Sequence, residues 1–259
     1  MDAICDDLLA ETDALAHVLA DRTDDEWRAP TPAQGWDSRD TVVHLGMTDW
    51  VATLATADPD EFEATKAGMA AGEADLHTAA GFDFESMSGA DLWAWFDSRR
   101  TTMVAAFRRV GPRDRIPWFG PDMGARMFAT ARLMETWSHG HDVADTFGSP
   151  YPRTARLRGV AHIGVGTRGW SYVNHGMAVP DGEVAVALTA PDGDTWTWGD
   201  QSAADRVSGS AYDFCLAVTQ RRRYTETALT ATGDLARGWM EIAQAFAGGP
   251  TTAPAGRAG

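Results

Sequence analysis

The stretch Ala131-Arg-Leu-Met-Glu135-Thr-Trp-Ser-His139-Gly-His-Asp142 decides the reading of this chain. It lies in a segment that reads as one helix from about Gly124 to Thr146, ended by Gly148-Ser-Pro150. Four helical steps of about 100° bring Glu135 and His139 within roughly 40° of each other on one face. A carboxylate and an imidazole stacked there, joined by an imidazole from a second helix, make a three-ligand metal site with open coordination positions. Such a site suits a metal that does chemistry better than one that only staples a fold. His141 is two steps from His139, turned about 200° away, and is set aside as a ligand. Asp142 is three steps away, near the same face, and is a candidate to orient the site from behind the ligands.

The second helix opens at Asp37-Ser-Arg-Asp40, carries Val42, Val43, Leu45, Met47, Trp50, Val51 and Leu54, and breaks at Asp58-Pro59. Its His44, taken alone, reads as a hydrogen-bonded core histidine. Taken with Glu135 and His139 it reads as the third ligand. Two imidazoles and a carboxylate suit zinc, manganese, nickel or iron without choosing among them. Asp37 and Asp40 share His44's side of the helix. Their first reading is N-cap and N3 carboxylates on orphan amides and the helix dipole; Asp40 is also a candidate to orient the site or supply a fourth ligand. Trp36, Trp118 and Trp137, with Phe119, are candidates to line a cofactor pocket, against the ordinary reading that they only pack.

Outward from these two helices the pattern stays helical through about residue 152. Residues 2–21 place Ile4, Leu8, Leu9, Leu15, Val18 and Leu19 at helical spacing, and Thr23-Asp-Asp-Glu26 has the form of a capping box. Pro30 to Trp36 reads as a loop, 60–80 as an acidic, Ala-rich helix, and Ser88 as the cap of a helix reaching Val110. Pro117 to Met123 is an aromatic, turn-rich loop. The simplest arrangement is a four-helix bundle over 1–152 with the ligands facing inward.

The pattern then changes. Arg156 to about Val173 reads as a helix. Val184, Val186 and Leu188 alternate, Pro191-Asp-Gly-Asp194 turns, and Thr195-Trp-Thr-Trp198 alternates again, which is a β-hairpin. Ser210 to Arg221 reads as a helix, Leu229-Thr-Ala-Thr as a last strand, and Leu235 to Phe246 as a final helix. Residues 153–248 thus form a small α/β domain, and 249–259 a disordered tail of Gly, Pro, Thr and Ala.

Composition narrows the function classes. The 259 residues carry a net charge of −15, which argues against nucleic acid and anionic membranes as partners. No run approaches the roughly 20 apolar residues of a membrane span, and the acidic N-terminus lacks the features of a signal peptide, so a cytoplasmic location is expected. Cys5 and Cys215, the only cysteines, form no zinc pattern and read as buried thiols. Lys66 is the only lysine among 22 basic residues, the bias of a GC-rich, actinobacterial genome.

Gly35-Trp36-Asp37-x-Arg39-Asp40-x-x-x-His44-Leu45, followed far downstream by Glu135-x-x-x-His139, resembles the mycothiol-dependent maleylpyruvate isomerase family, within the DinB-like metal-binding bundles. Trp118-Phe-Gly-Pro, Ala131-Arg-Leu-Met-Glu-Thr-Trp and Gly140-x-Asp142-x-Ala144-Asp145 are similar to an actinobacterial subgroup described only as metal-binding. Ala190-Pro-Asp-Gly, Trp196-Thr-Trp-Gly199 and Asp213-Phe-Cys-Leu-Ala-Val-Thr-Gln-Arg221 fit the same subgroup. The resemblance spans roughly 5–248. It implies a DinB-like helical metal domain, a sterol-carrier-like α/β domain, and a metal acting together with the thiol of mycothiol. It further implies an arginine from the second domain, which matches Arg221 or Arg222 in Thr219-Gln-Arg-Arg-Arg223; from the residues alone, these arginines read equally well as a helix C-terminus stabilised by the dipole.

The leading expectation is therefore a metal-dependent, mycothiol-linked isomerase or S-transferase for a small electrophilic metabolite that can be anionic. It would act as a monomer or homodimer. One alternative is a thiol-independent metal enzyme, a hydrolase, lyase or cyclase of secondary metabolism. Another is a non-enzymatic metal- or ligand-binding protein.

Overall fold

The computed structural model describes residues 1–71 and 83–253. These divide into two compact units, Met1–Tyr151 and Pro152 onward. The first unit is helical: α1 (Asp2–Leu19), α2 (Asp24–Trp27), α3 (Ser38–Ala57), α4 (Pro59–Ala70), α5 (Gly89–Phe107) and α6 (Ala125–Thr146). A two-residue hairpin, β1 (Arg115–Ile116) with β2 (Met123–Gly124), spans the aromatic loop. Of the helix expected over 60–80, α4 accounts for the first half, and 72–82 lie outside the described residues.

Among the long helices, α3 packs on α5 and α1 on α6, while α1–α5 and α3–α6 contacts complete the circuit. Small residues set the closest approach. A Cβ on Gly46 of α3 would run into the Trp95 indole of α5, so glycine is required for these helices to lie this near. Cys5, Leu8, Val51, Phe62, Phe107, Phe128 and Leu133 meet in one buried cluster. Burying such side chains stabilises by about 1.5–3 kcal/mol each.

A second, ionic layer ties the same four helices together. Asp49 of α3 accepts from Arg100 Nε of α5 at 2.6 Å and from Arg132 Nε and Nη2 of α6 at 3.2 Å. Arg100 also donates to Thr12 of α1 at 2.8 Å and Thr136 of α6 at 2.9 Å, and Arg132 to Thr48 at 2.6 Å. Asp49 and Arg100 are fully buried. A buried guanidinium is tolerated only when its donors are used in this way.

The second unit contains α7 (Leu157–Gly166), α8 (Arg168–Asn174), β3 (Val184–Thr189), β4 (Thr195–Trp198), β5 (Asp205–Ser210), α9 (Ala211–Val218), β6 (Thr230–Thr232) and α10 (Asp234–Ile242). The sheet order is β4-β3-β5-β6, with β3 and β5 parallel and the outer strands antiparallel. The β3–β4 turn uses Gly193 at φ +91°, and Ala190 N–H donates to Asp194 O at 2.8 Å. α9 packs on α7 and β5, and α10 on α8, β5 and β6.

Four boundaries differ from the sequence reading. The helix expected to reach Val110 ends at Phe107, where the Arg109 and Val110 N–H groups bond three residues back, to Ala106 O and Phe107 O. The single helix expected over Arg156–Val173 is two, because Thr167 leaves helical geometry and its Oγ1 bonds back to Ile163 O at 3.0 Å. The helix expected to reach Arg221 ends at Val218, where Gln220 takes φ +60°. The last helix stops at Ile242 rather than Phe246, since the following backbone is extended and Ala245 N–H donates to Val218 O at 2.8 Å. β5 was not expected. Of the tail, 254–259 lie outside the described residues, and Thr251 is hydrogen-bonded to Gln220 and Gln244. Among the described residues, no helix is long and apolar enough to cross a membrane.

Candidate metal centre

The site begins with the start of α3. Asp37 accepts from the Asp40 N–H at 2.8 Å, and Asp40 accepts from the Asp37 N–H at 2.9 Å, a reciprocal cap that fixes where the helix starts. Two turns later α3 presents His44. Across from it, α6 presents Glu135 and His139 one turn apart. Glu135 Oε2 lies 3.5 Å from His44 Nε2 and 3.5 Å from His139 Nε2. One donor atom from each of the three lies within 4.8 Å of the other two. His44 is 31% exposed, Glu135 23% and His139 12%, so the group opens toward solvent on one side.

These separations fit a metal better than a hydrogen-bond network. Distances of 3.5 Å are at the outer limit for N–H···O contacts. Ligands at about 2.0–2.2 Å from a tetrahedral ion stand roughly 3.4 Å apart, so two edges of the triangle already match. The chemistry of His139 points the same way. Its Nδ1 faces Asp142 Oδ2 at 3.0 Å while its Nε2 faces Glu135. A neutral imidazole has a single N–H and satisfies one carboxylate with it. If Asp142 takes that proton, Nε2 presents a lone pair toward Glu135, and a cation between them relieves the mismatch.

Burial is the main influence on His44 and lowers its pKa, against the opposing pull of Glu135. Burial alone would raise the Glu135 carboxyl. Its contacts with the His139 and His44 rings, with the Arg132 charge, outweigh it and hold the group well below the usual carboxylate range. His44 is thus biased toward its neutral form and Glu135 toward its ionised form, the protonation states that bind metal.

The structure brings some of the other expected residues to this group and not others. The Trp36 indole lies over His139, centroids 5.4 Å apart and planes 17° apart, and 5.0 Å from the His44 ring. Asp142 holds His139 as described. The Asp40 carboxylate accepts from the Asp37 N–H. Trp118 stacks on Phe62 and leans on Phe128, two turns before Glu135 on α6, with Phe119 against both Phe62 and Trp118. Trp137 is buried and meets His141, which also packs against Tyr151. Arg221 and Arg222 belong to the second unit, just past α9. Arg221 Nη1 donates to Thr219 O and Arg222 Nη1 to Arg221 O, each at 2.7 Å. Arg222 lines a cavity of about 260 Å³ with Gln220, Arg223, Tyr224 and Glu241.

Sequence reading missed Asp49, Arg100, Arg132 and Thr48. Thr48 Oγ1 bonds to the carbonyl of His44 at 2.7 Å, and Arg132 sits one turn before Glu135, so the ionic layer reaches both ligand-bearing helices. The available signal was a charge on an otherwise apolar face, as at Asp49, one turn from Leu45, Gly46 and Ala52.

Comparisons with known proteins bear on the fold and the family. Two Mycobacterium tuberculosis proteins, uncharacterized protein Rv0036c of strain ATCC 25618 / H37Rv and uncharacterized protein MT0041 of strain CDC 1551 / Oshkosh, are each 42% identical over 244 residues, 94% of this chain and 95% of theirs. Among solved structures, a mutant form of the mycothiol-dependent maleylpyruvate isomerase superposes with a TM-score of 0.57 at 14% identity, covering 89% of this chain and 92% of its own. Another crystal structure of the mycothiol-dependent maleylpyruvate isomerase gives 0.53 at 13% identity with the same coverage. At such identities the likeness is one of fold. Residues 8–144 match the family model of the mycothiol maleylpyruvate isomerase N-terminal domain, and the chain belongs to that family.

Proposed function

We propose that this protein is a metal-dependent, mycothiol-linked isomerase or S-transferase acting on a small electrophilic metabolite. The observation that carries the reading is the His44–Glu135–His139 triangle, with its 3.5 Å edges and Asp142 behind His139. In this reading the long helices form a DinB-like four-helix bundle that binds the metal, and the second unit is the sterol-carrier-like domain.

A bound divalent ion supplies Lewis acidity that lowers the pKa of a coordinated thiol or water. The chain's residues prepare for it. Asp142 keeps the His139 proton on Nδ1. Arg132 helps keep Glu135 ionised, and the open side leaves room for a ligand from solution. Cys5 and Cys215 are buried with raised thiol pKa values, so the attacking thiol comes from a cosubstrate. A thiolate adding to an activated double bond, followed by rotation and elimination of the same thiolate, gives cis–trans isomerisation with the thiol returned. Addition followed by return of the thiol's proton to the neighbouring carbanion, instead of elimination, gives a conjugate. Arg221 or Arg222 holds an anionic group of the substrate.

The test uses the full chain, stripped of metal and reloaded with Zn²⁺, Mn²⁺, Ni²⁺ or Fe²⁺. With mycothiol and maleylpyruvate as first probe, turnover or adduct formation is expected to require both metal and thiol. Arg221→Ala with Arg222→Ala should lower it. If His44→Ala and Glu135→Ala abolish metal binding but leave every functional readout intact, the metal-enzyme reading is wrong. If mycothiol changes neither binding nor turnover, the thiol part is wrong.

A further inference from the structure

The 30–37 loop ends in an indole that touches both imidazoles of the candidate centre. The loop is tightly closed. Pro30 and Asp37 form an isolated β-bridge. The Trp36 carbonyl accepts from Thr31 N–H at 2.8 Å and from Thr31 Oγ1 at 3.0 Å, and Trp36 N–H donates to Ala33 O at 3.0 Å. Gly35 takes φ +82°, a conformation that favours glycine and lets the chain reverse in so few residues. Trp36 directly precedes Asp37, the N-cap of α3, so the reciprocal Asp37–Asp40 cap anchors its backbone to the helix that carries His44.

From that anchored position the indole stacks on His139 at 17° and meets His44 at 51°, while the two imidazoles meet edge to face, 4.9 Å apart at 64°. Each imidazole can rotate about its terminal side-chain torsion, which is broad. Rotation of His139 is opposed at one edge by Asp142 and across its face by Trp36. His44 has the indole beside its ring and Glu135 at its Nε2.

We infer that Trp36 is a positioning residue for the metal centre: its ring holds the planes of His44 and His139 so that both Nε2 atoms face Glu135 before a metal arrives. This rests on the metal reading above and gives Trp36 a role through the ligands rather than through a cofactor. Aromatic packing of this kind acts on ring orientation, so its loss appears in the geometry and affinity of a bound ion.

Cobalt titration of the metal-stripped full chain tests it, since the visible d–d bands of Co²⁺ report coordination geometry without any activity assay. Wild type, Trp36→Ala, Trp36→Leu and Trp36→Phe are compared, with far-UV circular dichroism of each metal-free form. Trp36→Ala and Trp36→Leu are expected to bind Co²⁺ about tenfold more weakly, with altered bands, and Trp36→Phe to restore most of both. Trp36→Leu keeps apolar volume without a ring and decides the matter if Trp36→Ala fails to fold. Wild-type affinity and bands in Trp36→Leu overturn the inference while leaving the metal reading intact. A wild-type chain that binds no Co²⁺ overturns both.

Discussion

Asp49→Ala is the substitution whose cost the structure specifies most directly. Asp49 is fully buried and is the carboxylate shared by Arg100 and Arg132, which are themselves 0% and 4% exposed. Removing it leaves two guanidiniums facing a cavity, with their remaining hydrogen bonds among the described residues going to neutral oxygens. Breaking one partner out of a buried ion pair costs about 3–5 kcal/mol, because the surviving charge stays desolvated. For a unit of this size that corresponds to a fall in Tm of roughly 6–20 °C. Urea denaturation of the full chain, followed by far-UV circular dichroism, measures the change, with an unchanged m-value showing that the same surface unfolds. Asp49→Leu combined with Arg100→Met and Arg132→Met removes the charges together and should recover most of the loss. A loss below about 1 kcal/mol for Asp49→Ala, the range of an exposed pair, would refute the view that this network braces the helices.

Other outcomes follow from the site. Asp142→Asn should weaken Zn²⁺ binding by about 10–100-fold in calorimetry, because the replacement no longer fixes the His139 tautomer; unchanged affinity would remove Asp142 from the site. The metal-free protein should lose stability on acidification in two stages. Burial keeps His44 below its ordinary 6.5, so the unfolded chain takes up a proton near that pH which the folded form refuses. Glu135, held well below its ordinary 4.5, adds a further loss as pH falls through that value toward its folded one. Thermal midpoints of the metal-stripped chain across that pH range check this, and a midpoint that rises toward acid contradicts it. Burial raises the Cys5 thiol, and raises Cys215 well above the ordinary thiol value. Iodoacetamide at pH 8 should therefore leave both unmodified until denaturant is added, as mass spectrometry would show.

What the sequence made legible was whatever local periodicity encodes. Glu135 and His139 lie on one face because four residues make about one turn. Asp37 and Asp40 mark the start of α3 because orphan amides call for acceptors there. The β3–β4 hairpin follows from alternation on either side of Pro191-Asp-Gly. β5 was not legible: Asp205-Arg-Val-Ser-Gly-Ser has one apolar side chain, and its place in the sheet comes from parallel pairing with β3 rather than from its own pattern. The end of α9 turns on the left-handed Gln220, a backbone state that no periodicity announces.

The ionic layer was illegible for a different reason, and that reason bears on the site. A charge on a helix ordinarily reads as solvent-facing, and only tertiary register pairs Asp49 with Arg100 and Arg132, 51 and 83 residues away. The candidate ligands have the same character: His44 and Glu135 are 91 residues apart. Two helices that slide by one residue relative to each other shift their side chains by about 1.5 Å, enough to spoil ligand spacing. Hydrophobic packing alone tolerates some sliding, since one apolar side chain can replace another in a groove. A guanidinium held at fixed angles by one carboxylate and several hydroxyls does not. Arg132 and Thr48 each lie about one turn from a candidate ligand, and they meet each other directly. The register of α3 against α6 is therefore pinned beside the donors, on regular helices rather than on loops. In the positioning role inferred above, Trp36, with Asp142, then has only the imidazole rings left to orient.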